Sequence, residues 1–342
     1  LKNNIQHIII SRTDAIGDVV LTLPLCGVLK NEHPNLKITF LGNTYTKPVV
    51  ELSKNVDAFL NWDDVKNKSA KEQADFLKEV KADCILHVFP RKEIANAAKS
   101  AKIKLRIGTR SRLFHWFTCN QLVSLHRKNS DLHEAQLNIL LAKNILQNTN
   151  FEVENLEQFY NCKQTEMYNH SVFQLIDKNK FNLILHPKSK GSAREWSLDK
   201  YLQLIEKLPA SKFNIFITGN DAEKLLLNDW LKKLPNHVHD ITGKFTLPQF
   251  ISFINACDGL IAASTGPLHI ASMLGKRAIG LYAPMRPIFP MRWKPIGKQA
   301  DYLVMEKENC FDCKHKPSKC SCIQQIEVDE VKNKLMDTLE NN

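Results

Sequence analysis

The sequence contains no long hydrophobic run: nothing in its 342 residues approaches the ~18 consecutive apolar residues that a membrane-crossing helix needs. It also lacks the glycine fingerprint of nicotinamide-binding enzymes. The loop after the first strand-like run reads Ser11-Arg12-Thr13-Asp14-Ala15-Ile16-Gly17-Asp18, with one glycine where G-x-G-x-x-G needs three. There is no internal repeat and no low-complexity tract, and 12 Gly with 14 Pro is the usage of an ordinary globular chain. Acidic residues are in deficit, 36 against 47 Lys+Arg, which leaves a net charge of +11. That balance favours an anionic partner, and nucleic acid, an anionic membrane face and a phosphorylated glycan all satisfy it.

The length is too great for one ordinary core and fits two domains of roughly 150 residues. Strand-like apolar runs occur at 7–11, 37–42, 84–89, 105–108 and 121–124, then at 182–186, 214–218, 259–263 and 278–283. Helix-length amphipathic segments such as 198–208, 247–256 and 268–274 fill the gaps. This alternation predicts an α/β protein with two doubly wound, Rossmann-like parallel-sheet domains facing a cleft. The polar stretch 151–180 marks the junction, giving domains at 1–160 and 161–325. A tail at 326–342 follows, and from Val328 onward it reads as one amphipathic helix. Leu1 to Ile5 lead straight into an isoleucine run and a polar loop, the pattern of a buried first strand rather than a signal peptide. Pro24 falls inside the first predicted helix, where it predicts a kink. No amphipathic segment stands out as a membrane anchor.

In open parallel sheets, ligands sit beyond the carboxyl ends of the strands, so the loops that follow strands carry the functional signal. In the first, Gly17 permits a tight turn and Asp18 stands at a helix N-terminus, either as a cap or as a carboxylate acting as general base. The second, residues 186–196 (HPKSKGSAREW), sets Lys188, Lys190 and Arg194 among small polar residues before a capped helix. It suits a diphosphate or is a solvated basic loop. The third, Ser264-Thr265-Gly266-Pro267-Leu268-His269, opens a helix whose free N–H groups and hydroxyls form an anion site, with His269 one turn in. In the fourth, residues 218–223 (TGNDAE), Glu223 is placed to accept hydrogen bonds from ribose hydroxyls.

Together these loops resemble glycosyltransferase family nine, the lipopolysaccharide heptosyltransferases. The matching pieces are residues 12–24 (RTDAIGDVVLTLP), 186–196, 218–223, 264–271 (STGPLHIA) and 280–297 (GLYAPMRPIFPMRWKPIG), in order along nearly the whole chain. The resemblance implies a GT-B fold, with the acceptor bound mainly by the first domain and the donor by the second. It implies inversion at the sugar carbon with no cofactor or metal required for catalysis. It makes Asp18 the base on the acceptor hydroxyl and Arg194 the cation that stabilises the departing nucleotide diphosphate. Lys188, Ser189, Thr265, Gly266 and Pro267 would contact phosphate, with Ser264 and His269 beside them, Glu223 on the ribose and Phe245 against the base. Ser264 stands where some heptosyltransferases have an Asp that engages the sugar, and the basic loop is one residue longer than the family's usual form. Closing the domains would bring Asp18 to the acceptor and exclude water.

The acceptor candidates are Arg12, Arg91, Arg110 and Arg112, within a basic set that also includes Lys92, Arg106, Arg127 and Lys128. Phe114, His115, Trp116 and Phe117 interleave with them. Such a set suits acidic sugars or phosphates of an inner core, or single-stranded nucleic acid, or is scattered solvated charge. Cys26, Cys84 and Cys257 lie in apolar surroundings, as buried thiols do. Cys310, Cys313, Cys320 and Cys322 form C-x2-C-x6-C-x-C, open to structural zinc, to disulfide or redox pairing, or to free thiols, with His315 as a substitute ligand.

The sequence reading is therefore an inverting transferase moving heptose from ADP-heptose to the lipopolysaccharide inner core or a related glycan. It implies a cytoplasmic enzyme with peripheral contact at the inner membrane and no nucleic-acid partner. The competing readings are a transferase using another nucleotide-sugar, a GT-B-type sugar-nucleotide epimerase and a non-enzymatic nucleic-acid binder.

Overall fold

The computed structural model describes residues 5–125, 127, 130–166, 168–286, 288–305, 315 and 321–340, the last three of these without their side chains. The chain divides into two compact units, residues 1–164 and 165–342.

The first unit holds a six-stranded parallel sheet in the order β3-β2-β1-β4-β5-β6. Its strands are β1 His7–Ser11, β2 Lys37–Gly42, β3 Ala58–Asn61, β4 Cys84–His87, β5 Leu105–Thr109 and β6 Gln121–Val123. The second unit repeats the plan as β12-β11-β10-β7-β8-β9. There the strands are β7 Phe181–His186, β8 Phe213–Ile217, β9 Val238–Asp240, β10 Gly259–Ala263, β11 Arg277–Tyr282 and β12 Ala300–Val304. Central strands such as β1, β8 and β10 are buried along their whole length, because helices cover both faces of a parallel sheet.

In each unit the strand order reverses once, between β1 and β4 and between β7 and β10. Loops leaving the carboxyl ends of such a pair run to opposite sides and open a crevice, the usual ligand position in a doubly wound sheet.

β3, β9 and β12 have no counterpart among the predicted strands. All three are sheet edges whose residues are half-buried or exposed, and their apolar stretches reach three residues at most. The kink expected at Pro24 is replaced by a break. One helix spans Ile16–Val20 and a second spans Leu23–Glu32, and Pro24 sits in the first turn of the second. An N–H missing there removes no intrahelical bond.

In the second unit the helix Val328–Glu340 lays Val328, Val331 and Leu335 into a core shared with Trp196, Tyr201, Leu204 and Ile205. Gly280 on β11 lets the helix Gly266–Met273 pack close. A Cβ there would fall 2.4 Å from the Tyr282 ring and 2.9 Å from Leu268 Cδ2.

Candidate functional site

In the first unit the loop after β1 carries a buried charge cluster. Arg12 is 3% exposed, and its Nε donates to Asp14 Oδ1 at 2.8 Å. Its two terminal nitrogens reach Asp18 Oδ1 and, at 3.2 Å, Glu134 Oε1. Arg127 pairs with the same Glu134 and donates from Nη2 to Asn138 Oδ1 at 3.0 Å. Glu134 and Asn138 lie one turn apart on the helix Glu134–Leu141 and so share a face. Asn138 Nδ2 closes the network by donating to Leu21 O at 3.0 Å and Thr22 Oγ1 at 3.2 Å. Asp18 itself stands in the first turn of the helix Ile16–Val20 with its side chain 22% exposed.

Arg12, an acceptor candidate in the sequence, is thus engaged by carboxylates of its own unit. Its guanidinium is enclosed by three carboxylates, and its effect is to hold Asp18 in place.

These ion pairs join three carboxylates to two guanidiniums, one negative charge in excess. Burial pushes the Asp14 carboxyl up to about 7, against the pull of Arg12 and with Asp18 and Glu134 adding to the rise. Burial also raises Asp18, again opposed by Arg12 and reinforced by Glu134. Burial disfavours the Arg12 charge, but Asp14, Asp18 and Glu134 outweigh it and keep the guanidinium protonated. The cluster therefore takes up a proton more readily than an isolated carboxylate does.

Glu134 and Asn138 escape the sequence reading; the only signal is a polar pair on an otherwise apolar helix, EAQLNILL. Removing the buried Glu134 carboxylate leaves Arg12 and Arg127 short of a partner. Glu134→Ala is expected to cost about 3–5 kcal/mol of stability by chemical denaturation, and Glu134→Gln less.

The other acceptor candidates separate by strand. Arg91 follows β4, at the crevice, with its guanidinium 4.8 Å from the Phe89 ring centroid; Arg12 approaches the same ring at 5.9 Å. Arg110 and Arg112 follow β5, two strands from β1, and both are exposed. Lys128 lies outside the described residues.

In the second unit the loops flagged in the sequence leave adjacent strands. The 187–196 loop follows β7, the 264–265 loop follows β10, and Thr218 to Asn220 follow β8. The register pairs Ala262 with His186 and Leu185 with Ile217. The loop turns through left-handed Lys190 and Gly191, at φ 51° and 79°, a conformation glycine adopts without strain.

Glu195, which the sequence reading passed over, organises this loop. Its Oε2 accepts from Lys188 Nζ at 2.8 Å, and its Oε1 accepts from the Ser189 N–H at 2.8 Å and Ser189 Oγ at 3.0 Å. Ser189 Oγ also lies 2.9 Å from Ala193 O. Lys188 and Ser189 are therefore engaged within their own loop. Arg194 differs. It is half-buried, makes no ion pair among the described residues, and its Nε is buried without a hydrogen-bond partner among them.

Across the crevice, Thr265 caps the helix Gly266–Met273 with its backbone only, and its buried Oγ1 has no partner among the described residues. Gly266 and Pro267 form the first turn. His269 is 2% exposed, and its N–H donates to Thr265 O at 3.3 Å. Ser264 hydrogen-bonds the Tyr282 phenol.

Glu223 holds the helix Asp221–Leu231 in a capping box. Its Oε2 accepts the Asn220 N–H at 2.9 Å while its own N–H donates to Asn220 Oδ1 at 2.9 Å. Its second oxygen takes no part in the box. Burial lowers His186 to about 4, so the 4.0 Å approach of His186 Nε2 to Glu223 is a contact with a neutral ring, not an ion pair. Phe245 stacks on Phe250 at 6.4 Å and 19°, and it also contacts His170 and Phe253. This aromatic group lies beyond β9, at the far end of the same row of loops.

Of the zinc candidates, Cys310, Cys313 and Cys320 lie outside the described residues. Cys322 is buried among Ile323, Ile326 and Val331. No group of three or more metal-ligating side chains occurs among the described residues.

A Haemophilus influenzae protein whose description goes no further than a proposed glycosyltransferase is 28% identical over 306 residues, 85% of this chain and 86% of its own length. The lipopolysaccharide core heptosyltransferase OpsX of the same species is 23% identical over 325 residues, 92% of this chain and 88% of its own. The solved structure of Escherichia coli ADP-heptose LPS heptosyltransferase II superposes with a TM-score of 0.74 at 18% identity, covering 98% of this chain and 99% of that one. Residues 74–324 match the profile of Glycosyltransferase family 9 (heptosyltransferase), and with the two doubly wound sheets and the ordered loops above, this chain belongs to that family and is a glycosyltransferase.

Proposed function

We propose that the protein transfers a heptose from ADP-heptose, with inversion, to the inner core of a lipopolysaccharide or a related glycan. The observation that carries this reading is family membership combined with one pairing in the second unit. The half-buried Arg194 lies in the loop that follows β7, and the Thr265 helix start follows β10, the two strands where the order reverses. A guanidinium and a helix start whose buried Nε and hydroxyl lack partners among the described residues, carried by the loops of two adjacent strands, suit the diphosphate of a nucleotide-sugar. The donor sugar and base are taken from the relatives, one of which is named for ADP-heptose.

In this reading Asp18 accepts the proton of the acceptor hydroxyl, and Arg12, anchored by Glu134, holds Asp18 in position. Arg194 and the first turn of the 266–273 helix neutralise the leaving diphosphate. Arg91 and Phe89 flank the acceptor sugars, with Glu223 and Phe245 beside the nucleoside.

Calorimetric titration with ADP, UDP and GDP tests the donor. Selective ADP binding supports the reading. Preference for UDP or GDP removes ADP-heptose while leaving a transferase, and no nucleotide binding removes the reading altogether.

The charge cluster adds a pH test. A base must be ionised, so kcat/KM falls as pH drops through its pKa. With burial raising Asp18, the acid limb is expected above the ordinary carboxylate value. Asp14→Asn removes a neighbouring like charge and should move that limb to lower pH. An acid limb at or below the ordinary carboxylate value contradicts the assignment.

A further inference from the structure

The helix Leu113–Thr118 is amphipathic in the inverted sense. Its inward face is polar: His115 is fully buried and Thr118 is 4% exposed. Its outward face is apolar, with Leu113 75%, Trp116 52% and Phe117 69% exposed. Positions 113, 116 and 117 follow the i, i+3, i+4 spacing that puts side chains on one helical face. A leucine, a tryptophan and a phenylalanine turned to solvent on a single turn form a contiguous apolar patch, which soluble surfaces rarely carry without use. The sequence reading found no amphipathic anchor. This one is too short for a periodicity signal, and only the fold shows which side faces out.

The charge around the patch is one-sided. The segment from residue 94 to residue 130 has no Asp or Glu, and its Lys99, Lys102, Lys104, Arg110 and Arg112 are exposed. Arg110 and Arg112 are exposed at the start of the helix. The Arg110 guanidinium lies 5.5 Å from the Trp116 ring centroid, and Trp116 Nε1 donates to Arg110 O at 2.9 Å. Asn120, two residues past the helix, donates from Nδ2 to Lys104 O at 2.7 Å, and so ties the exposed Lys104 and its neighbour Lys102 to the other end.

We propose that this helix seats the protein on an anionic phospholipid surface. Leu113, Trp116 and Phe117 enter the interfacial layer, and Arg110, Arg112, Lys102 and Lys104 meet the headgroups. Apolar anchors ringed by cations, with an indole at the boundary, are the chemistry of interfacial binding. A second copy of the chain is a poorer fit, since a two-fold contact would press Arg110, Arg112, Lys102 and Lys104 against their own counterparts. No helix among the described residues is long and apolar enough to cross a membrane, so the contact is peripheral.

The test is flotation of the full chain with vesicles of phosphatidylcholine plus phosphatidylglycerol, and with phosphatidylcholine alone, at low and high salt. Wild type is expected to float with the anionic vesicles, less so at high salt, and weakly with neutral ones. Leu113→Ser with Phe117→Ser should reduce binding by about tenfold or more. Arg110→Gln with Arg112→Gln should remove most of the salt dependence. Leu225→Ser with Leu226→Ser, on an equally exposed apolar pair of the helix Asp221–Leu231, should bind as wild type. Thermal melts of each variant separate loss of binding from loss of fold. Equal binding to neutral vesicles, no binding by wild type, or unaltered binding by the Leu113/Phe117 variant each overturns the proposal. So does a dimer in solution that this variant dissociates while vesicle binding is absent. The vesicles contain neither nucleotide-sugar nor glycan, so the outcome is independent of the transfer reaction proposed above.

Discussion

Asp18→Asn is expected to lower the turnover of glycosyl transfer by about 10²–10⁴-fold, the range for loss of a positioned general base. Asparagine keeps an oxygen that can accept the Arg12 hydrogen bond, so the cluster and the fold should survive the exchange. The amide has no basic site, so the acceptor proton has no local destination. The loss should fall on kcat, with nucleotide affinity unchanged, because the proposed donor loops lie in the second unit. Asp14→Asn is the control, since Asp14 shares Arg12 and the excess negative charge but is assigned no proton-transfer role. If Asp14→Asn abolishes transfer while Asp18→Asn retains most of it, the base has been assigned to the wrong carboxylate. Steady-state kinetics with the two variants side by side decide it.

Arg194→Ala is expected to cost about 10²–10³-fold in kcat, the magnitude seen when one preorganised donor to developing negative charge is removed. Its guanidinium is the one cation of the 187–196 loop that is half-buried with a buried, unpartnered N–H among the described residues. A group held ready in this way stabilises charge without reorganising during the reaction. ADP affinity should weaken as well, because the same group meets the diphosphate in the bound product. Lysine at 194 restores charge but not the planar fork, so partial recovery is expected.

Lys188→Ala is the informative comparison. Lys188 is paired with Glu195 at 2.8 Å, so its loss should act by loosening the loop, and Glu195→Gln should produce a similar defect. If Lys188→Ala is as damaging as Arg194→Ala while Glu195→Gln is harmless, then Lys188 meets the donor directly and its pairing breaks on binding.

How much of this was legible beforehand follows from where each signal resides. The central strands were readable because burial on both faces of a parallel sheet demands unbroken apolar runs, as in Ile8-Ile9-Ile10 and Leu183-Ile184-Leu185. The loops were readable because a strand, a polar turn and a capped helix occur consecutively in the chain. Thr265 to Pro267 and Asn220 to Glu223 declare their helix starts locally. Residue type did not show that Lys188 and Ser189 bond Glu195, or that Arg12 reaches Glu134, because those partners are set by the folded chain.

The sequence alone therefore determined the α/β alternation, the two doubly wound sheets and the family, all properties of short segments taken in order. Tertiary structure decided the rest. Glu134 reaches Arg12 across 122 positions, and no periodicity encodes such a pairing. The edge strands β3, β9 and β12 exist because a neighbouring strand offers them a ladder, not because their own residues are apolar. The outward face of the 113–118 helix became visible only when His115 and Thr118 were found packed inside. Burial depends on what lies across space, and a one-dimensional pattern reports it only where neighbours in space are also neighbours in the chain.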